Sequence, residues 1–397
     1  MNKKVSYLIV IVLCGVLLAV TFSGCIKEEQ KTKELKETLK PEVKLYKTSV
    51  LPDWKDGEYH DYYGTMEKIN YFNEIYPNLV YVYSIGKSVL GKDIWCIRIT
   101  NENNTELKSS CLIDGCIHGC EWEAGEACLY LAEYLLINFN VNETITNILN
   151  SSEVYIIPIL NPDGRQENVR WNENGIDLNR NYDVDFGRLR GHSIRLGKLF
   201  GRIKIPYIKV GKLLSLFNIE LPFWEVFTNC GKYPFSEPES QAIKNLMEQT
   251  GFDDFSFYVN CHTAAHGVWI PWKVFKPPFE MTAQEKNIFH YILNWVEDNT
   301  EYEPVPIIIY KGRRHYVSGA SADWFYKKYR VPSFTFEILS EDYEMWMGQG
   351  KHDNLVHWMK TTLPFFMYLL VNIDNLRQWR TPDIQPFLPE GVPPEPL

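Results

Sequence analysis

His118 and Glu121 stand three residues apart in Ile113-Asp114-Gly115-Cys116-Ile117-His118-Gly119-Cys120-Glu121, where a short apolar run ends in a glycine-flanked turn. Imidazole nitrogen and carboxylate oxygen are both zinc ligands, and a backbone that turns between them can bring the two onto one ion. A single His-x-x-Glu is common by chance. It gains meaning only with a third ligand, a base and an anion-holding group elsewhere in the chain.

The elements that must position such a set are legible around it. Met66, Ile69, Phe72 and Ile75 recur at helical spacing up to Pro77 and predict a first helix. Leu79 to Ile85 and Ile94 to Thr100 alternate like strands, with Gly86 and Gly91 between them. Ser110 to Asp114 reads as a strand leading into the His118 turn, and Trp122 to Asn138 as the helix after it. Val154 to Leu160 is expected to be a buried strand ending in a turn at Asn161-Pro162-Asp163-Gly164. Ser236-Glu237-Pro238-Glu239 has the form of a capping box, with a helix to about Gln249. Phe255 to Asn260 and Ser333 to Ile338 are expected strands, each delivering a polar residue at its end, and Asn354 to Val371 is an expected closing helix. Strands alternating with helices predict an α/β sheet covered on both faces, with a site at the strand ends.

Several further segments share one order along the chain: Asn161-Pro162-Asp163-Gly164, Arg170, Gly175-Ile176-Asp177-Leu178-Asn179-Arg180-Asn181, Asn260-Cys261-His262-Thr263, Tyr316 to Trp324, and Ser333-Phe334-Thr335-Phe336-Glu337. With the His118 turn they resemble the M14 family of zinc carboxypeptidases over roughly residues 55 to 375. The resemblance implies a three-layer α/β/α fold with a mixed sheet of about eight strands. It implies one zinc ion on His118, Glu121 and His262, three protein ligands that leave a position open for water. Glu337 matches the general base and acid. Arg170 matches the arginine that steadies the developing oxyanion, a task suited to a permanent, forked charge. Asn179 and Arg180 match the pair that binds the substrate's terminal carboxylate, and Tyr316 the phenol that closes over it.

A rival metal site is open to the same residues. Cys116, His118 and Cys120 would share one strand face and, with Cys261-His262, could build a closed thiolate centre. The spacing lacks the paired Cys-x-x-Cys knuckles of such sites and leaves Glu337 and Arg170 without a task.

The 397 residues, 45% of them hydrophobic, can bury a large core, and the net charge of −9 argues against a nucleic-acid partner. Lys3 and Lys4, the apolar run Tyr7 to Thr21 and Phe22-Ser23-Gly24-Cys25 form the layout of a secretory signal with a lipoprotein cleavage site. The expected organisation is a signal at 1–24, a disordered tether at 25–44, a peptidase domain at 45–380 and a Pro-rich tail at 381–397, with the chain tethered outside the cell through lipid at Cys25. An uncleaved N-terminal membrane anchor is the other reading of the same run. Seven cysteines lie beyond Cys25, an odd number whose pairing the sequence leaves open.

Residues 188–224 form an insert in which Arg188, Arg190, Arg195, Lys198, Arg202, Lys204, Lys209 and Lys212 interleave with apolar side chains. That mixture suggests a segment lying at a lipid surface; a lid, or packing against the domain or another subunit, is the alternative. The loop Gly319-Ala320-Ser321-Ala322 offers no acid to a cationic terminal side chain, so neutral or apolar C-terminal residues are expected. The sequence thus points to a zinc-dependent carboxypeptidase acting on extracellular peptides. Peptidases of γ-linked cell-wall peptides or amino-acid conjugates, and a catalytically silent binding protein on the same fold, are the alternatives.

Overall fold

The computed structural model describes residues 49–187, 229–249, 255–307, 309–310, 313–314, 316–339 and 354–378. The expected signal, tether, insert and Pro-rich tail lie outside these residues. The strands in chain order are β1 (Val80–Lys87), β2 (Asp93–Ile99), β3 (Ser109–Asp114), β4 (Ser152–Ile157), β5 (Phe255–His262), β6 (Gly267–Trp269), β7 (Glu303–Val305), the short β8 (Ile309–Tyr310) and β9 (Arg313–Arg314), and β10 (Ser333–Glu337). The helices are α1 (Tyr62–Ile75), α2 (Trp122–Asn138), α3 (Glu143–Ser151), α4 (Pro162–Glu167), α5 (Pro238–Gln249), α6 (Ala283–Asn299), α7 (Ser321–Tyr329), α8 (Leu355–Val371) and α9 (Ile373–Gln378).

Eight strands form one mixed sheet in the order β1-β2-β4-β3-β5-β10-β6-β7, as expected, while β8 and β9 pair with each other. Its centre is parallel: β3 pairs with β4 and β5, and β10 with β5, all running one way. Every residue of β3, β5 and β10 is buried, as befits central strands covered on both faces. Successive side chains of β5 point to opposite faces. Cys261 meets Cys128 of α2, while Tyr258 stacks on Phe325 of α7 with ring centres 3.7 Å apart. Helices therefore cover both faces of the sheet, and the C-terminal ends of β3, β5 and β10 open on one edge.

Several expected elements change at their ends. The sheet releases the chain at Ile157 rather than Leu160, because the Leu160 and Asn161 amides turn to the carbonyls of Gly115 and Cys116, each at 3.0 Å. Asn161-Pro162-Asp163-Gly164 starts α4 instead of making a free turn: Asn161 Oδ1 accepts the Gly164 amide at 2.9 Å and Pro162 takes the first helical position. At α5 no capping box closes. Ser236 Oγ donates to Glu237, and Glu239 accepts instead from Asn172 at 3.0 Å and from the Val89 amide at 3.2 Å. The seven cysteines in the described residues are all buried free thiols.

Candidate metal centre and the residues around it

Beyond Asp114 the chain stays tied to the sheet through Gly115, whose amide donates to the Ile157 carbonyl at 2.9 Å. The turn then passes so close to α4 that a side chain at Gly119 would fall on the Gly164–Arg165 backbone. This close approach fixes His118 and Glu121 at the end of β3. His262 arrives as the last residue of β5, and Glu337 as the last residue of β10, in register with it.

His118, Glu121 and His262 converge. Their ligand atoms lie within 4.8 Å of one another and all three residues are buried; no other group of this kind forms among the described residues. Glu121 Oε1 is 2.7 Å from His118 Nδ1, and its Oε2 is 2.8 Å from His262 Nδ1. The outer nitrogen of each ring faces an acceptor: His118 Nε2 lies 3.0 Å from Asp177 Oδ1, and His262 Nε2 meets Asn260 Oδ1. With the Nε2 proton of each ring directed to these acceptors, both Nδ1 lone pairs would be available to a shared ion. Two imidazole nitrogens and one carboxylate oxygen, oriented in this way, fit zinc with one position left open. The thiolate alternative is not formed: Cys116 Sγ points to the Glu121 carbonyl at 3.2 Å, and burial pushes its thiol up to about 12.

Charge around this centre is arranged in opposed pairs. Arg170 Nε donates to Asp177 Oδ2 at 3.0 Å, and Arg170 Nη1 lies 3.4 Å from Glu121 Oε1. Burial works against the Asp177 charge, yet Arg170, Arg180 and His118 together hold its carboxyl well below the usual range. His262 is pushed down to about 4, mainly by burial and further by His118 and Arg170 against the pull of Glu121, so it is neutral near pH 7. Glu337 is driven well above an ordinary carboxyl by burial and by the charge of Glu121, with Arg170 and Lys273 opposing.

Asn179 and Arg180 form a 3₁₀ turn (Leu178–Arg180), whose Asp177 cap accepts the Asn179 amide at 3.1 Å. Asn179 Nδ2 lies 3.2 Å from His262 Nε2, and its Oδ1 accepts the Ser321 amide at 2.8 Å. Arg180 Nη1 donates to the Asn179 carbonyl at 2.7 Å. Tyr316 stands at the head of the loop that runs over this turn and stacks on Phe275, ring centres 4.1 Å apart. The structure thus gathers His118, Glu121, His262, Arg170 and Asn179 into direct contact, sets Glu337 beside His262 in the sheet, and joins Arg180 to Asn179. Two further residues border this set without a task drawn from the sequence: Asn260, which lies in the segment Asn260-Cys261-His262-Thr263 and meets His262, and Lys273, whose charge acts on Glu337. Asn260 had a usable signal, since it precedes His262 by two positions in a strand and so shares its face. Lys273 had none.

A mixed α/β/α sheet with a His-Glu-His donor set and a buried carboxyl at the neighbouring strand end defines a zinc-dependent hydrolase. The family model for zinc carboxypeptidases, peptidase family M14, matches residues 65–199 and 220–357. The chain therefore belongs to that family. It is 30% identical over 148 residues to a zinc carboxypeptidase of Saccharothrix mutabilis subsp. capreolus, covering 32% of this chain and 33% of that protein. Against carboxypeptidase A6 of Homo sapiens it is 22% identical over 309 residues, 72% of this chain and 62% of that one. These matches span less than two thirds of either relative. Among solved structures, carboxypeptidase A of Helicoverpa armigera superimposes with a TM-score of 0.61 at 18% identity, covering 88% of this chain and 81% of that chain. Thrombin-activatable fibrinolysis inhibitor gives 0.61 at 20% identity, with 80% and 75% covered.

Proposed function

We propose that the protein is a metallocarboxypeptidase that hydrolyses the C-terminal peptide bond of peptides. The observation that carries this reading is the convergence of His118, Glu121 and His262 at the strand ends, with the Glu337 carboxyl on the strand next to His262. Zinc, when held by these three residues, supplies Lewis acidity toward a peptide carbonyl and toward water. Glu337 takes a proton from the attacking water and later hands it to the leaving amine. Arg170, fixed in place by Asp177, directs its remaining donors at the oxyanion that develops. Asn179 and Arg180 hold the substrate's terminal carboxylate, and Tyr316 closes over it.

The loop Gly319 to Ala322 supplies no carboxylate, so C-terminal Lys or Arg would be buried without a countercharge and is disfavoured. From those four residues alone, a neutral or apolar terminal side chain is the expected substrate. The test compares one peptide carrying a free C-terminus with its amidated form. Stepwise shortening of the free peptide alone, abolished by a chelator and restored by zinc, supports the reading. Internal cleavage, equal cleavage of the amide, or activity that survives chelation overturns it.

The chain is further proposed to act at the outer face of a cell membrane, held by lipid at Cys25, with the basic and apolar segment 188–224 as a second lipid contact. The N-terminal layout and the composition of that segment support this. Among the described residues no helix is long and apolar enough to cross a membrane. Sedimentation of the chain with anionic vesicles, with and without residues 188–224, tests the second contact. Binding that weakens with salt and with the deletion is expected; binding indifferent to both rules the contact out.

A further inference from the structure

Lys273 is a buried cation tied to the loop that spans the candidate terminal-residue site. Its side chain is 4% exposed. Its amide donates to Asp323 Oδ1 at 2.9 Å, and its carbonyl accepts the Val317 amide at 2.7 Å, so it is pinned to both ends of the loop from Tyr316 to Asp323. The same loop rests on the Asn179-Arg180 turn. Ser321 donates to Asn179, and Gly319 packs so tightly on Arg180 that a methyl group there would overlap the Arg180 backbone. Arg180 feels the charge of Asp323, and Glu337 feels that of Lys273. Lys273 therefore sits among the groups assigned to the substrate's last residue and to the proton transfer.

Its ammonium is poorly satisfied. Nζ lies 3.2 Å from Asp323 Oδ2, yet neither atom makes a hydrogen bond. A lysine has three donors to place, and burying them without acceptors is costly. Asp323 can serve one of the three donors through Oδ2, while its other oxygen accepts the Lys273 amide and its charge is shared with Arg180. An acceptor arriving with the substrate would complete the set.

Building on the carboxypeptidase reading, we infer that Lys273 determines specificity for the terminal side chain and selects one bearing an acceptor oxygen, glutamate first and glutamine next, over leucine or phenylalanine. The α-carboxylate of such a residue goes to Arg180 and the side-chain oxygen to Lys273. This departs from the neutral preference drawn from Gly319 to Ala322, because Lys273 enters the site from the segment after β6.

The test measures kcat/KM of the zinc-loaded protein on matched peptides ending in Glu, Gln, Leu, Phe and Arg. Glu and Gln should exceed Leu and Phe, with Arg last. Lys273→Met should lower the Glu to Leu ratio about 10- to 100-fold, the loss of one charge-assisted hydrogen bond, with most of the change in KM. Because this variant leaves Asp323 buried without its cation, the ratio is also read in Lys273→Met/Asp323→Asn, which removes both charges; the same fall is expected. Faster release of Leu or Phe than of Glu and Gln by the unaltered protein, or a ratio unmoved in both variants, overturns the inference and leaves the carboxypeptidase reading standing. If no peptide is shortened at all, both fall.

Discussion

Glu337 and His262 are register partners on adjacent parallel strands, and the Ile338 amide just beyond Glu337 donates to the His262 carbonyl at 2.9 Å. The distance between the candidate base and a candidate zinc ligand is thus set by sheet hydrogen bonding, the stiffest spacing the fold offers, rather than by a loop. A change confined to the Glu337 carboxyl should therefore leave the ligand geometry intact.

Glu337→Gln is expected to bind one zinc per chain with unaltered affinity and to lose turnover by about 10²- to 10⁴-fold, because an amide cannot accept the proton of the attacking water. Metal analysis and steady-state kinetics on the same preparation check this. Turnover within a few fold of the parent would show that another group is the base.

Asp177→Asn should weaken zinc binding by about 10- to 100-fold, the usual effect of removing the partner that orients a ligating imidazole. Asp177 holds both His118 at 3.0 Å and Arg170 at 3.0 Å, so catalysis at saturating zinc should fall as well. Competition with a chelator of known affinity measures the first effect. Unchanged zinc affinity would mean that Asp177 serves Arg170 alone.

Gly319→Ala should raise KM more than it lowers kcat. Gly319 has φ +70°, where an L side chain is strained, and its Cα faces the Arg180 backbone, so the loop must lift off the residue assigned to the terminal carboxylate. A variant with unchanged KM would detach this loop from substrate binding.

Asp114 provides a prediction on pH and stability. It is buried at the end of β3, accepting from Tyr258 at 2.7 Å and from Asn260, and burial pushes its carboxyl up to about 7. The folded state therefore binds a proton more tightly than the unfolded chain, whose carboxyl titrates near 4. Below that pH the contribution is fully present; as pH rises toward 7 the unfolded chain ionises while the folded one cannot, and the contribution is lost. Against Asp114→Asn, which lacks this titration, the parent should lose stability between pH 4 and 7 by up to about 1.4 kcal/mol per pH unit. His262 contributes the opposite slope in both proteins and cancels in the difference. Urea midpoints of metal-free protein at pH 5 and 7.5 measure it, and a difference independent of pH would contradict the assignment.

The residues whose chemistry depends on type and order were readable from the sequence, because a ligand at a strand end is announced by the apolar run before it. Thus His118, His262 and Glu337 all follow strands that the sequence displayed. The start of α6 was equally visible, since Thr282 and Glu285 form a complete capping box, Thr282 Oγ1 accepting the Glu285 amide at 3.2 Å. The helix behind it shows the matching period, with Ile288, Phe289, Ile292, Leu293 and Val296 recurring at helical spacing and buried. The box expected at Ser236 failed because Glu239 is drawn to Asn172, a partner distant in sequence. Lys273 was invisible on the same grounds. Its meaning comes from Asp323 and from the loop above it, and tertiary contacts of that kind leave no local pattern.

The most direct test of the central claim is a zinc titration of the metal-free protein in which bound metal and release of the C-terminal residue from one peptide are followed together. Activity should rise linearly and stop at one zinc per chain, while Glu337→Gln takes up the same equivalent without turnover. Hydrolysis by the metal-free protein, or a single bound zinc that brings no hydrolysis of any C-terminal residue, would contradict the account.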